Sequence, residues 1–398
     1  MAITTEPNKL VNSWFTTFIV CLFVLGTVIY IFPVGRIQPG HYLAIFIILV
    51  GLSFIRFHTL KLTDQSLIVF GLYVLVVNGY YFLTNGHPEF FTSIVYWGYN
   101  IALFIALCHI FQKSNFLQRL IPYVFVACFL AFLFLWLLGY LRTDLSTLRF
   151  LAQFNDPNQM GHWLICGFIA LVLLAKVGFL SNRYVQTILI LVVALLISAT
   201  GSRSAMFGFA PLLIGFIWLR FFRDQVKISK PVLLALISLF IVATFYILSA
   251  QVNKHIVAPT QEAALANEVP LNRIKATEWA LEAKRRGYYR PIEYPQYLLF
   301  GAGHGDEARF NSPYEIHASL LGVFFYYGIV GFTLFIFFLY QIFRRLSLPE
   351  AVMLSAPFVY GFFTYGLRTP IFWVLMAIIV ATRPLPDEGN ANDLVSKD

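Results

Sequence analysis

The chain has 398 residues, of which 59% are hydrophobic and 18% aromatic while only 12% are charged, and its mean hydropathy is +0.75. Soluble domains carry roughly 25% charged residues, so a water-soluble globule is excluded. The formal charge of +9 is spread over short loops between apolar runs rather than gathered in one basic patch. That distribution argues against a nucleic-acid partner and makes most Lys and Arg residues topology signals.

Apolar runs of about 20 residues match a hydrocarbon core of roughly 30 Å at 1.5 Å rise per helical residue, so the bilayer is the expected solvent. In chain order they predict spans at 14–33, 41–55, 65–84, 91–111, 117–140, 159–177, 184–199, 204–221, 231–250, 316–343, 351–366 and 369–382. Residues 1–13 form a short polar leader with no cleavage site, so the first helix is expected to stay in the mature protein. The expected fold is therefore all-α and integral to the membrane, with about twelve transmembrane helices. Nine of them lie in 1–250, a long loop fills 251–315, three more helices occupy 316–382, and 383–398 is a disordered tail. Cys21, Cys108, Cys128 and Cys166 all fall inside apolar runs without a C-x-x-C pair, which marks them as packing residues.

Orientation follows from the excess of Lys and Arg in cytoplasmic loops. With the N-terminus inside, the inner segments hold 15 such residues and the short outer loops 5, namely Arg36, Arg142, Arg149, Arg203 and Arg368. Both termini are then expected in the cytoplasm and the long loop outside.

Sorted by side, the polar anomalies gather on the outer face in four segments. The first is Phe154-Asn155-Asp156-Pro157-Asn158-Gln159, followed by His162. Asn, Asp and Pro suit a turn and a helix start, but a cap leaves His162 unexplained, one turn further into the membrane. The second is the turn Thr200-Gly201-Ser202-Arg203-Ser204. Arg203 there either snorkels at the boundary or offers its guanidinium to phosphate oxygens.

The third lies in the long loop, where residues 271–286 allow a short amphipathic helix on the membrane surface. Lys284, Arg285 and Arg286 suit contact with water or head groups, whereas Arg273 opens the helix, where positive backbone amides would add to its charge. The fourth is Leu299-Phe300-Gly301-Ala302-Gly303-His304-Gly305, followed by Tyr314-Glu315-Ile316-His317 at the head of a long apolar helix containing Gly328 and Gly331. Small residues there permit close helix packing. Glu315, two residues from His317, is a candidate orienting group or alternative base.

Taken together, these segments over residues 140–345 resemble the superfamily of O-antigen polymerases and O-antigen ligases, integral-membrane glycosyltransferases of bacterial surface-polysaccharide synthesis. The carriers are the Phe-Asn-Asp-Pro-Asn segment, the Ser-Arg turn at Arg203, Arg273 with Trp279 following, the Gly301-Ala302-Gly303 turn and His317. The resemblance implies a GT-C-like fold in the inner membrane with a periplasmic loop carrying short helices. It also implies a donor glycan on undecaprenyl diphosphate, membrane lipid as surroundings, and a chain-length regulator and a flippase as candidate partners. No metal, cofactor or nucleotide sugar is implied. Arg203, Arg273 and His317 are the expected catalytic set, with Asp156, Asn158, His162, Arg285, Arg286 and Glu315 as substrate contacts.

Two departures bear on the reaction. Ala318 stands where members commonly carry Asn after the loop histidine, and the Arg-x-x-x-Leu pattern often described for ligases reads Arg273 to Thr277. The second favours a polymerase over a ligase. A transporter, the remaining alternative, would place its charges near the bilayer midplane rather than at the outer boundary.

Overall fold

The computed structural model describes residues 14–32, 37–53, 60–139, 143–144, 149–176, 178–222, 283, 286–311 and 314–385. The expected ninth span at 231–250, the amphipathic stretch at 271–282 and the tail from 386 lie outside the described residues, as do Arg273 and Arg285. The described chain is α-helical apart from a two-residue antiparallel ladder between 143–144 and 149–150.

Eleven helices follow the apolar runs: α1 (Trp14–Gly26), α2 (Pro39–Ser53), α3 (Leu62–Asn85), α4 (Pro88–Lys113), α5 (Asn115–Leu137), α6 (Pro157–Leu174), α7 (Arg183–Thr200), α8 (Arg203–Phe221), α9 (Ser319–Phe343), α10 (Leu348–Tyr360) and α11 (Pro370–Thr382). Seven of them, α3 to α9, are long and apolar enough to cross a membrane. The chain is thus an α-helical membrane-embedded protein. Helices α1, α2 and α11 are apolar but shorter.

Burial explains how a short helix is accommodated. Residues 370–380 of α11 are buried without interruption, and α6 is buried almost throughout. A helix apolar on every face belongs in a protein core or in lipid, and here the neighbours α4, α6 and α9 supply the cover, with Phe358 of α10 meeting Phe372. By contrast, α3, α5, α7 and α8 turn large apolar side chains outward, among them Leu72, Val76, Leu83, Phe134, Leu191 and Ile214. Those faces suit acyl chains. Helices α8 and α10 approach most closely along Gly208 and Gly215, where an added Cβ at Gly215 would stand 2.6 Å from the backbone nitrogen of Met353. Small residues let two backbones meet without a side chain between them.

The connections between the described helices fall at two ends of the bundle. One end is stapled by Arg345, which donates to the carbonyls of Gln341 (3.1 Å) and Arg383 (3.0 Å) and to the Thr63 hydroxyl (2.8 Å). Arg383 in turn donates to Glu350 at 2.6 Å. The opposite end carries the first, second and fourth polar segments singled out in the sequence, together with Arg286 of the third.

Three of the boundaries that differ from expectation have a local reason. Helix α1 stops at Gly26, because Thr27 and Val28 turn and the chain then runs extended. Helix α9 begins at Ser319 rather than 316, because the Ser319 amide donates to the Gly361 carbonyl at 2.7 Å. Helix α10 ends at Tyr360 rather than 366, so the aromatic run Phe362-Phe363-Thr364-Tyr365 forms an irregular bridge instead of a helical turn.

Helix α9 is also broken. Gly328 has φ 63° and ψ −173°, which lies in territory reserved for glycine. The segment Leu298–Gly303 lies against the break and takes up the released backbone groups. Ala302 and Gly303 amides donate to the carbonyls of Phe325 (3.0 Å) and Tyr326 (2.8 Å), and the Ile329 amide donates to Leu298 (2.7 Å). Irregular backbone beside a membrane helix persists when protein satisfies it in this way. The fit needs glycine on both sides, since a Cβ at Gly301 would meet the Tyr326 carbonyl oxygen at 2.4 Å and one at Gly328 would meet the Leu299 oxygen at 2.4 Å.

Candidate functional site

The bridge from Gly361 to Thr369 is the floor of the candidate site. Ser319 organises it: its hydroxyl donates to the Thr364 carbonyl (3.1 Å) and accepts from the Gly366 amide (2.8 Å). The Thr364 hydroxyl donates to that of Ser204 at 3.1 Å. This short chain of bonds ties the start of α8, one residue past Arg203, to the start of α9, two residues past His317.

The first two sequence segments meet beside it. Asp156 caps α6 by accepting the Asn158 amide at 2.8 Å, as expected for an Asp-Pro helix start. Asn158 then turns its Oδ1 to the Ser202 hydroxyl, which donates at 2.6 Å, while Ser202 itself caps α8 by accepting the Ala205 amide at 3.2 Å. Gly161 permits this approach, because a Cβ there would stand 2.3 Å from that of Ala205. Arg203 occupies the first position of α8, exposed, with no hydrogen bond or ion pair among the described residues. Asp156 and Asn158 are half-buried and serve first as caps and struts.

His162 is placed differently from a substrate contact. It is fully buried, stacked on Tyr360 with ring centroids 4.5 Å apart. Its Nδ1 lies 2.7 Å from the Thr369 hydroxyl, which donates its one proton to Gly366 at 2.8 Å. The ring therefore donates through Nδ1, and Nε2 accepts from the Cys166 thiol at 3.5 Å. His162 thus supports the bridge from beneath.

The third group stands at the head of α9. His317 is half-buried, and its Nδ1 donates to the Glu315 carbonyl at 2.9 Å, which leaves the lone pair of the neutral ring on Nε2. Its own amide donates to the Arg286 carbonyl at 3.1 Å, and the Arg286 guanidinium donates to Phe363 at 2.6 Å. Glu315 pairs with Arg368 through both oxygens: Nη1 donates to Oε1 at 2.6 Å and Nη2 to Oε2. Behind this pair is His304, stacked on Tyr326 at 4.3 Å, with Nε2 3.2 Å from Arg368 Nη2. Burial, and then the neighbouring Arg368 charge, hold the His304 ring down at a pKa of about 3, so it is neutral at physiological pH. Its Nδ1 is buried without a hydrogen-bond partner.

Beneath them lies a second Arg–Glu pair. Arg290, 0% exposed, pairs with Glu307, donates to the Tyr314 carbonyl and lies 3.4 Å from the Tyr326 hydroxyl. Arg309 sits among Tyr81, Phe90, Tyr297 and Phe310, with its guanidinium 4.5 to 5.9 Å from the ring centroids, and donates to Ala302 and Gly303. These two arginines fix the loop rather than face a ligand.

Of the residues expected at the site, Asp156, Asn158, Arg203, Arg286, Glu315 and His317 gather around the bridge, His162 lies under it, and Arg273 and Arg285 lie outside the described residues. Sequence reasoning missed Arg368, counted only as a topology signal, and His304, noted only within a glycine-rich turn. The sequence offered one clue to Arg368, an arginine directly before the Thr-Pro start of an apolar span on the side with few Lys and Arg. Among the described residues, no three His, Cys, Asp or Glu side chains stand together as a metal-binding set. In comparisons with known proteins, the chain matches no family model and no curated sequence.

Proposed function

We propose that this chain is a bacterial inner-membrane glycosyltransferase with about twelve transmembrane helices and a GT-C-like plan. In this reading it polymerises oligosaccharide repeat units carried on undecaprenyl diphosphate, in O-antigen, capsule or exopolysaccharide synthesis. Its termini are cytoplasmic and the loop-rich end faces the periplasm, which the excess of Lys and Arg at the other end supports. One observation carries the reading. Three short segments far apart in the chain, ending in Asn158, Arg203 and His317, are joined at one end of the bundle by the Ser202–Asn158 and Thr364–Ser204 hydrogen bonds and by Ser319.

The chemistry follows from those groups. An acceptor sugar hydroxyl attacks C1 of the donor sugar, the C1–oxygen bond to diphosphate breaks, and the electron pair leaves with the diphosphate. The hydroxyl proton goes to Nε2 of His317, whose tautomer is set by the Glu315 carbonyl. Charge developing on the leaving diphosphate is met by Arg203, at the positive end of α8, and by Arg273 from the loop. Cationic groups beside the leaving diphosphate stabilise that charge as a metal ion would.

The test is purified protein supplied with undecaprenyl-diphosphate-linked repeat units, with and without a lipid A core acceptor, scored for laddered products. Ladders without the core are expected, falling by about 10²-fold or more in Arg203→Ala and His317→Ala. Products formed only with the core would reassign the chain as a ligase. Normal ladders from both variants, each folded, would remove these residues from the reaction.

A further inference from the structure

The two Arg–Glu pairs near the head of α9 differ in a way that a purely structural role does not explain. Arg290 and Glu307 have side chains 0% and 10% exposed, sealed in the loop. Arg368 and Glu315 are 40% and 23% exposed. A pair open to solvent contributes little to stability, too little to account for the framework built around Arg368.

That framework is extensive. The Leu367 carbonyl accepts from the Tyr96 hydroxyl (2.7 Å) and from the Trp373 indole (2.8 Å). Thr369 is held by His162 and Gly366 by Ser319. The backbone on both sides of Arg368 is therefore pinned, while its guanidinium lies over Tyr365, 4.9 Å from the ring centroid, and reaches the surface. An arginine that merely snorkels to water has no use for such anchoring. One that must meet an anion in a fixed place does, because the ordering cost is met before binding.

The anion now held there is the Glu315 carboxylate, engaged by both terminal nitrogens in the fork geometry that also suits phosphate oxygens. The Glu315 backbone carbonyl separately holds His317, so the carboxylate can leave Arg368 without releasing the histidine ring. Behind the guanidinium, neutral His304 places Nε2 3.2 Å from Arg368 Nη2 and 3.3 Å from Glu315 Oε2, and adds no competing positive charge.

We infer that Arg368 is a diphosphate-binding residue and that Glu315 is its resident counter-ion, displaced when the diphosphate of the lipid-linked donor arrives. The inference rests on the proposed donor class and adds an arginine to the site, together with a means of keeping it neutralised between turnovers.

The test measures binding of undecaprenyl diphosphate to the purified full chain in nanodiscs. Arg368→Gln is expected to weaken binding about 10- to 100-fold, the loss of a charge-assisted contact, with Arg368→Lys in between. Glu315→Gln is expected to tighten it roughly threefold or more, because a like charge no longer competes. That gain should vanish in the Arg368→Gln background. A misfolded variant cannot imitate a gain. Weakened binding in Glu315→Gln, or the same gain with and without Arg368, would overturn the inference. So would an equal response to inorganic pyrophosphate at the same concentration, which would assign the fork to a free anion. Wild-type protein that binds no undecaprenyl diphosphate would instead overturn the donor class, whereas wild-type binding that ignores both substitutions would sink only the role of Arg368.

Discussion

Gly328→Ala tests whether the broken helix holds the site loop in place. The backbone there has φ 63° and ψ −173°, and a Cβ would stand 2.4 Å from the Leu299 oxygen and 2.6 Å from the Gly301 nitrogen. Both obstacles are backbone, so no side chain can swing aside. The conformation alone costs about 1–3 kcal/mol for a residue other than glycine. Because the Cβ meets backbone, the loop must retreat as well, and it gives up the hydrogen bonds from Ala302, Gly303 and Ile329 at 2.7 to 3.0 Å, each worth about 1 kcal/mol net. The two contributions together come to about 4–6 kcal/mol of local stability. Native-state hydrogen exchange in detergent should show the Ala302 and Gly303 amides exchanging about 10³- to 10⁴-fold faster, since every 1.4 kcal/mol is about tenfold. Gly79→Ala in α3 is the internal control, because nothing lies within 4 Å of its added Cβ and a helical Gly-to-Ala change gains up to about 1 kcal/mol. Equal exchange at Ala302 and Gly303 in the two variants would show that the break does not hold the loop.

Two further outcomes follow from the loop's ionic groups. Glu307→Gln leaves Arg290 buried without its counter-ion and should lower stability by about 3–5 kcal/mol, with a large part recovered in the Arg290→Met, Glu307→Leu double variant. A melting temperature in detergent that matches wild type in the single variant would contradict this. For His304, the folded ring sits at about 3 against roughly 6.5 in the unfolded chain, so the unfolded state binds the extra proton between those values. Its contribution to stability is complete above about pH 6.5 and declines as pH falls toward 3. The melting temperature should therefore drop over that window more steeply in wild type than in His304→Gln, and equal slopes would refute the assignment.

The helices were legible in the sequence because lipid-length apolar runs and their capping residues are local signals. Asp156 and Ser202 cap the helices that the Asn-Asp-Pro and Gly-Ser-Arg turns announced. The end of α10 was not legible, since the aromatic run from Phe358 to Tyr365 is as apolar as a span and stops being helical for reasons set by Ser319 and Ser204, far away in the chain. Gly328 was read as a packing residue because its positive φ depends on a partner segment 25 to 30 residues earlier. Arg368 was hidden for the opposite reason: its charge counts in a topology tally, while its framework of Tyr96, His162 and Trp373 comes from three different helices.

The early helices carry no motif, yet the site loop hangs on them. Tyr73 and Tyr81 donate to the Phe300 and Gly301 carbonyls, and Asn78 accepts the His304 amide, across separations of 227, 220 and 226 residues. Tyr96 reaches Leu367 across 271. During synthesis, α3 and α4 enter the bilayer long before their partners exist, so these tyrosines and Asn78 must wait with their polar groups unclaimed. Assembly of the site is consequently a terminal event of biogenesis, completed when α9 and α11 arrive at a wall laid down at the start. A chain stalled before α9 would hold Asn158 and Arg203 already in register and still lack the half of the site built around His317 and Arg368.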